Sequence, residues 1–179
     1  MRKVPYILKM SLPNRKSPRL KGYDYSQNGA YFITICTKNR EELLSEIIVG
    51  TGVLDCPQNI LKDYGKIANN HLENMSNFYD KIKIDKFVIM PNHIHILIQI
   101  FETDKLNGQS GTPVPTNSLI AQFVSTYKRF CNKEYGKNIW QRSYHDHIIR
   151  GEKDYQKIWQ YIDTNPLKWE KDCFYRKRS

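Results

Sequence analysis

Hydrophobic and polar positions along the chain fall into two periods. A run rich in aromatic and β-branched residues marks residues 30–37, just after the turn-forming Asn28-Gly29, as a first strand. Tyr31, Ile33 and Ile35 share one face of it, and Phe32, Thr34 and Cys36 the other. Residues 81–90 and 93–100 repeat the pattern on either side of Pro91-Asn92. That dipeptide suits a tight turn, because Pro presets φ and Asn tolerates strained backbone. The pattern predicts a hairpin whose second strand buries Ile94, Ile96, Ile98 and Ile100. His93, His95, Leu97 and Gln99 then line the opposite face.

Helical spacing takes over between these runs. Ile60, Tyr64, Ile67, Ala68, His71, Leu72 and Met75 predict a helix laid on the sheet, with His71 a satisfied core histidine. Asn117 or Ser118 caps a second helix, whose apolar face runs Leu119, Ile120, Phe123, Val124, Tyr127 and Phe130 and which ends near Gly136. Residues 139–150 read as extended. A last helix spans 152–165, introduced by Gly151 and stopped by Pro166. Tyr155, Ile158, Trp159 and Ile162 form its buried stripe, and Tyr161 falls about 110° from the middle of that stripe, at its border. Residues 43–54 fit either a short hairpin or an irregular excursion. Residues 103–117 read as an exposed, mobile Gly/Pro/polar connector.

Composition narrows the partner. The 179 residues suit one domain, and 28 Lys+Arg against 18 Asp+Glu leave a net charge of +10. That balance favours nucleic acid, with an anionic membrane second, and 12 Tyr and 3 Trp offer rings for stacking on unpaired bases. Much of the charge sits in residues 1–22, a basic arm containing Arg15, Lys16, Arg19 and Lys21 and no acidic residue. Residues 23–179 then form the single domain. Lys128, Arg129, Lys133 and Lys137 give the second helix a basic side. The four cysteines are far apart, which suggests neither a zinc knuckle nor a disulfide framework. The first residues do not resemble a secretory signal and no segment reaches membrane-spanning length, so the expectation is a soluble, cytoplasmic protein.

The chemistry gathers at two places. His93 and His95 project side by side from one strand face, a two-ligand fragment for a metal ion, or else two half-buried polar residues bonded to neighbours. His145 and His147 repeat the spacing and could complete a metal site, contact a phosphate, or form a polar strand edge. Tyr161 and Asn165, four residues apart, share one helical face. They suit a nucleophile beside a metal ligand, although spacing alone favours a boundary tyrosine and a helix-terminal Asn before Pro.

The ordered blocks Gly-Ala-Tyr-Phe-Ile-Thr-Ile, Met-Pro-Asn-His-Ile-His-Ile-Leu, Trp-Gln-Arg-Ser-Tyr-His-Asp-His-Ile-Ile-Arg and Tyr-Ile-Asp-Thr-Asn-Pro together resemble the REP-associated single-tyrosine transposases. These are a branch of the HUH nucleases, and the resemblance runs from about Arg19 to Trp169. It implies an α+β fold, a ferredoxin-like (RRM-like) antiparallel sheet with packed helices. It implies that His93 and His95 are the metal pair, that Asn165 is the third ligand and that Tyr161 is the nucleophile. Mg²⁺ or Mn²⁺ is the implied cofactor, with imidazole ligation favouring Mn²⁺. The implied substrate is single-stranded DNA beside a hairpin of a repetitive extragenic palindrome, cut to a 5′-phosphotyrosyl link and a free 3′-OH. Because the link keeps the phosphodiester energy, the ends can be rejoined without ATP. Arg15, Lys16, Arg19, Lys21, Lys128, Arg129 and Arg142 are the candidate DNA contacts, and the active unit is a monomer or homodimer. His147 lies in a family block without an assigned role, and His145 and residues 103–117 are less typical. Two other classes compete: a non-catalytic single-stranded nucleic-acid-binding module, and a zinc hydrolase built on His93, His95, His145 and His147 with water as nucleophile.

Overall fold

Side-chain alternation and the turn at Pro91-Asn92 set the core of the sheet. The computed structural model describes residues 26–48, 57–101 and 118–175. The basic arm and the 103–117 connector lie outside the described residues. The strands of the main sheet are β1 (Gly29–Cys36), β4 (Ile82–Ile89), β5 (His93–Ile100) and β6 (His145–Ile149), in the spatial order β4-β5-β1-β6 and paired antiparallel. The ambiguous 43–54 stretch resolves in part: β2 (Ser45–Ile48) pairs with β3 (Gln58–Leu61) in a separate hairpin sheet. Helices α1 (Asp63–Asn74) and α2 (Leu119–Tyr135) and the last helix α3 (Glu152–Thr164) complete the order. The run β1-α1-β4-β5-α2-β6 with this strand order is a ferredoxin-like α+β fold.

The two faces of the sheet are covered by different helices. Tyr31, Ile33, Ile35, Ile94, Ile96 and Ile98 are fully buried in one core with Leu72 of α1 and Phe123 and Tyr127 of α2. Burying each such side chain contributes about 1.5–3 kcal/mol. The Tyr127 hydroxyl donates to Ala68 O (3.1 Å), so its polar end is satisfied within that core. Ser118 caps α2 by accepting from Ala121 N (3.3 Å), and Gly136 ends it at φ 70°, a left-handed conformation that glycine adopts without a Cβ clash.

α3 lies over the other face, and a bulge in β4 helps to seat it. The β4–β5 register shifts between Ile84 and Lys86, which re-aims Asp85 to accept from the Tyr155 hydroxyl on α3 (2.8 Å). Lys86 then reaches Asp163 (2.5 Å) and sits 4.2 Å from the centre of the Trp159 ring. Trp159 is thus an exposed residue under a cation, whereas the helical spacing had put it in the buried stripe. Of that stripe only Ile162 is fully buried, because α3 crosses the sheet near its edge.

α1 begins at Asp63, three residues later than the apolar spacing suggests. Ile60 belongs to β3 and is exposed, since Lys62 N donates to Leu44 O (2.9 Å) and holds the chain extended up to that point. Gly65 then lets the first turn of α1 pass against Leu44, where an added Cβ would come within 1.9 Å of the Leu44 carbonyl oxygen. His71 lies half-buried on α1, its Nε2 2.8 Å from Glu134 Oε2 of α2.

Candidate active site

His93 and His95 leave β5 on the α3 side of the sheet and are both buried. Their Nε2 atoms face each other at 2.9 Å. The partners of the other ring nitrogens decide what those atoms can do. Asn92, fully buried in the turn, donates through Nδ2 to the carbonyls of Phe174 (2.9 Å) and Arg40 (3.3 Å). Carbonyls only accept, so the amide orientation is set and Asn92 Oδ1 is the atom 2.8 Å from His93 Nδ1. His93 Nδ1 must therefore carry the hydrogen, and its Nε2 presents a bare lone pair. Burial, helped by the Arg40 guanidinium, lowers the His93 pKa to about 3, which keeps the ring neutral.

His95 Nδ1 lies 2.8 Å from Thr34 Oγ1 on the neighbouring strand. A hydroxyl can donate or accept, so Thr34 suits either tautomer of His95. When it accepts, both facing Nε2 atoms are lone pairs directed at one point, an arrangement a cation satisfies. The His95 pKa is also well below the usual histidine value, first through burial and then through His93.

Tyr161 reaches the pair from α3. Its hydroxyl is 3.3 Å from His95 Nε2 and donates to Asp172 Oδ2 at 3.0 Å. The ring is 36% exposed, at the border of the helix as its spacing requires, so one edge meets the histidines while the other meets solvent. Phe32 fills the space beneath, stacked on His95 with ring centres 5.0 Å apart and edge-on to Tyr161 at 5.9 Å. Burial and then Asp172 push the phenol pKa above its ordinary value.

Asn165 follows one turn after Tyr161 and is buried beside it. Its Nδ2 donates to Asp172 Oδ2 (2.8 Å), while its Oδ1 is buried with no hydrogen-bond partner among the described residues. Asp172 is the residue that sequence reasoning missed. The 3-10 turn Pro166–Lys171 folds the chain back, and one ligand atom each from His93, His95 and Asp172 then lie within 4.8 Å of one another. Arg40 secures this return by donating to Cys173 O (3.0 Å) and lying 4.8 Å from the centre of the Phe174 ring, which packs tilted against His93 with ring centres 4.5 Å apart. No spacing rule links Asp172 to the histidines; only its separation of seven from Asn165 hinted at a shared region. The donor set of neutral imidazole nitrogens, an unpaired amide oxygen and a carboxylate fits a small divalent cation.

The remaining sequence-level candidates lie elsewhere. His145 and His147 stand on the same sheet face in β6, paired in register with Thr34 and Phe32. His147 is taken by Asp154 at 2.9 Å, tying β6 to the first turn of α3, and neither histidine joins the ligand cluster among the described residues. Lys128 and Arg129 of α2 and Arg142 of the segment before β6 line one cleft, and none of them joins the ligand cluster. Arg15, Lys16, Arg19 and Lys21 fall outside the described residues.

No family model matches the chain. A Haemophilus influenzae protein of uncharacterised function is 38% identical over 177 aligned residues, 90% of this chain and 93% of that protein. A second H. influenzae protein, provisionally named a REP-associated tyrosine transposase, is 26% identical over 153 residues, covering 81% of this chain and 74% of its own length. The REP-associated tyrosine transposase of Escherichia coli is 30% identical over 86 residues, 48% of this chain and 45% of that enzyme. The chain is similar to the REP-associated tyrosine transposases. A solved REP-associated tyrosine transposase bound to a REP hairpin shares the fold, with a TM-score of 0.59 over 84% of this chain and 73% of that one at 20% identity. No helix among the described residues is long and apolar enough to cross a membrane.

Proposed function

We propose that this protein is a metal-dependent single-stranded DNA endonuclease and strand transferase that cuts beside hairpins of repetitive extragenic palindromes through a 5′-phosphotyrosine intermediate. The observation that carries this reading is the Tyr161 hydroxyl, which donates to Asp172 Oδ2 and lies 3.3 Å from His95 Nε2, beside the histidine pair. Tyr161 is the nucleophile. His93, His95 and Asn165, joined by Asp172, hold Mg²⁺ or Mn²⁺. Bound there, the ion supplies Lewis-acid counter-charge to the non-bridging phosphate oxygens.

The chain's own groups do the rest. A phenol kept protonated by burial needs an acceptor within reach when it attacks, and Asp172 Oδ2 already takes its hydrogen bond. Tyr161 Oη forms the new bond to phosphorus as its proton passes to Asp172, the P–O3′ bond breaks, and the leaving 3′-oxygen takes a proton from solvent to become the free 3′-OH. Reversal with a different 3′-OH rejoins DNA, which separates a strand transferase from a hydrolase. Phe32 and Phe174 wall off the histidines and limit water. Lys128, Arg129 and Arg142, with the arm residues Arg15, Lys16, Arg19 and Lys21, contact the DNA backbone, giving salt-sensitive binding. The arm at 1–22 discriminates between hairpins, residues 23–179 form the catalytic domain, and the protein acts on DNA in the cytoplasm, associated with the nucleoid.

The test is a labelled hairpin-bearing single strand incubated with Mg²⁺ or Mn²⁺ and run on a denaturing gel. Wild type is compared with Tyr161→Phe and with Tyr127→Phe, whose hydroxyl is buried on Ala68 in the opposite core. A covalent adduct lost only in Tyr161→Phe is expected. Cleavage that survives Tyr161→Phe without an adduct would transfer the chemistry to an attacking water.

A further inference from the structure

Beyond the end of β1, a cleft of about 500 Å³ opens between α2 and the extended segment 138–144. Lys128, Arg129 and Arg142 line it, and neither arginine makes an ion pair among the described residues. Lys128 is half-buried and donates to the carbonyls of Gln141 (2.7 Å) and Ser143 (3.0 Å), which props the segment against α2 and leaves one further N–H. Two other lining residues carry buried polar atoms with no partner among the described residues: the Trp140 indole Nε1–H and the Asn132 amide Oδ1. Trp140 is only 2% exposed. The Asn132 oxygen is the free end of its amide, because Nδ2 faces Asn138 Oδ1 (3.4 Å), which also accepts from Trp140 N (3.0 Å).

A buried donor, a buried acceptor and three cations together describe a ligand. A phosphodiester group alone would answer the cations and the indole N–H but has no hydrogen to donate to Asn132. A peptide carboxylate has the same shortcoming. A nucleotide has phosphate oxygens for the cations, and every base edge combines an acceptor with an N–H donor, free only when the base is unpaired. The position suits a strand that also visits Tyr161. Gln141 N donates to Cys36 O (2.9 Å), and Cys36 is paired in register with His93, so the wall of the cleft begins about two strand spacings, roughly 10 Å, from the histidine pair.

We propose that this cleft seats one unpaired nucleotide of the bound DNA strand, its phosphate on Lys128, Arg129 and Arg142 and its base edge on Trp140 and Asn132. It is a recognition site separate from the cleavage centre, and it rests on the reading of the protein as a single-stranded DNA enzyme. A single nucleotide gripped there sets how far the hairpin lies from the phosphate presented to Tyr161.

The test measures binding of a fluorescently labelled hairpin-bearing strand by anisotropy in EDTA, with the full chain and single abasic sites scanned through the unpaired region. In wild type, base loss at one position is expected to weaken binding about tenfold. Trp140→Phe removes the indole N–H together with part of a buried ring, so its fold is checked by urea unfolding, and the folded variant is expected to bind the intact strand more weakly, with no further loss at that position. Arg129→Ala/Arg142→Ala changes exposed side chains, and is expected to weaken binding about tenfold at 0.1 M salt while lowering the log–log salt slope by about one to two. A flat abasic scan, or the same position-dependent loss in Trp140→Phe, would overturn the proposal. Saturable binding of a free mononucleotide that the hairpin strand does not displace would also overturn it, by making a free nucleotide the ligand. Adduct formation by wild type in Mg²⁺ is read separately: its absence sinks the cleavage chemistry and leaves the binding result standing.

Discussion

Replacing Asn92 with Ala removes one fully buried side chain and three hydrogen bonds at once, on His93 Nδ1 (2.8 Å), Phe174 O (2.9 Å) and Arg40 O (3.3 Å). The His93 N–H is left buried and unsatisfied, at a cost of about 1–3 kcal/mol, and the Phe174 carbonyl adds about 1 kcal/mol. The long bond to Arg40 contributes little. The expected loss of stability is therefore about 2–4 kcal/mol in urea unfolding. A second effect follows from the tautomer: without an acceptor at Nδ1, His93 no longer presents Nε2 as a fixed lone pair, and Mn²⁺ affinity by titration calorimetry is expected to fall roughly 10–100-fold. Asn92→Asp separates the two. It keeps an acceptor for His93 but sets a carboxylate against two carbonyls, so stability should drop while Mn²⁺ affinity is largely retained. If Asn92→Ala unfolds within about 0.5 kcal/mol of wild type and binds Mn²⁺ equally well, the turn residue does not orient the histidine.

Three further outcomes are expected. Gly65→Ala forces a Cβ against the Leu44 carbonyl oxygen and should cost about 2 kcal/mol or more, read as a lowered urea midpoint; an unchanged midpoint would mean that the α1 approach can relax. His93, lowered to about 3, and His95, well below its ordinary value, are neutral when folded but take up protons near pH 6.5 when unfolded. The metal-free protein should hold its full stability above about pH 6.5 and lose it as pH falls toward about 3, by up to about 1.4 kcal/mol per pH unit for each imidazole. A flat profile from pH 7.5 to 5 in denaturant titrations would contradict buried, neutral histidines. Asp172→Asn should reduce Mn²⁺ affinity about tenfold or more in calorimetry, and equal affinity would remove Asp172 from the ligand set.

Much of this organisation is legible in one dimension because it is local. Tyr31, Ile33 and Ile35 alternate with Phe32, Thr34 and Cys36, and the pleat alone sends the first three to the helical core. His93 and His95 share a face because they are two residues apart on a strand. Tyr161 and Asn165 share one because they are four apart on a helix, and both contact Asp172. Where tertiary contacts outweighed spacing, the local reading failed. Ile60 fits the period of α1 yet belongs to β3, since the bond from Lys62 N to Leu44 O holds the chain extended. Trp159 fits the buried stripe of α3 yet lies exposed under Lys86, since α3 crosses near the sheet edge.

What the sequence determined by itself is the strands of the main sheet and the three helices, the sign of the charge and the faces on which His93, His95, Tyr161 and Asn165 stand. Periods of two and 3.6 residues follow from backbone geometry and need no partner. The tertiary structure decided which of those faces meet. It brought Asp172 back across the Pro166–Lys171 turn to Tyr161, put Thr34 against His95, and set the Asn92 amide so that one His93 nitrogen is bare. Those contacts join residues up to 82 positions apart, as Asn92 and Phe174 are. Such separations carry no periodic signal, because the encounter depends on sheet order and on the packing of α3, not on the neighbours of either residue in the chain.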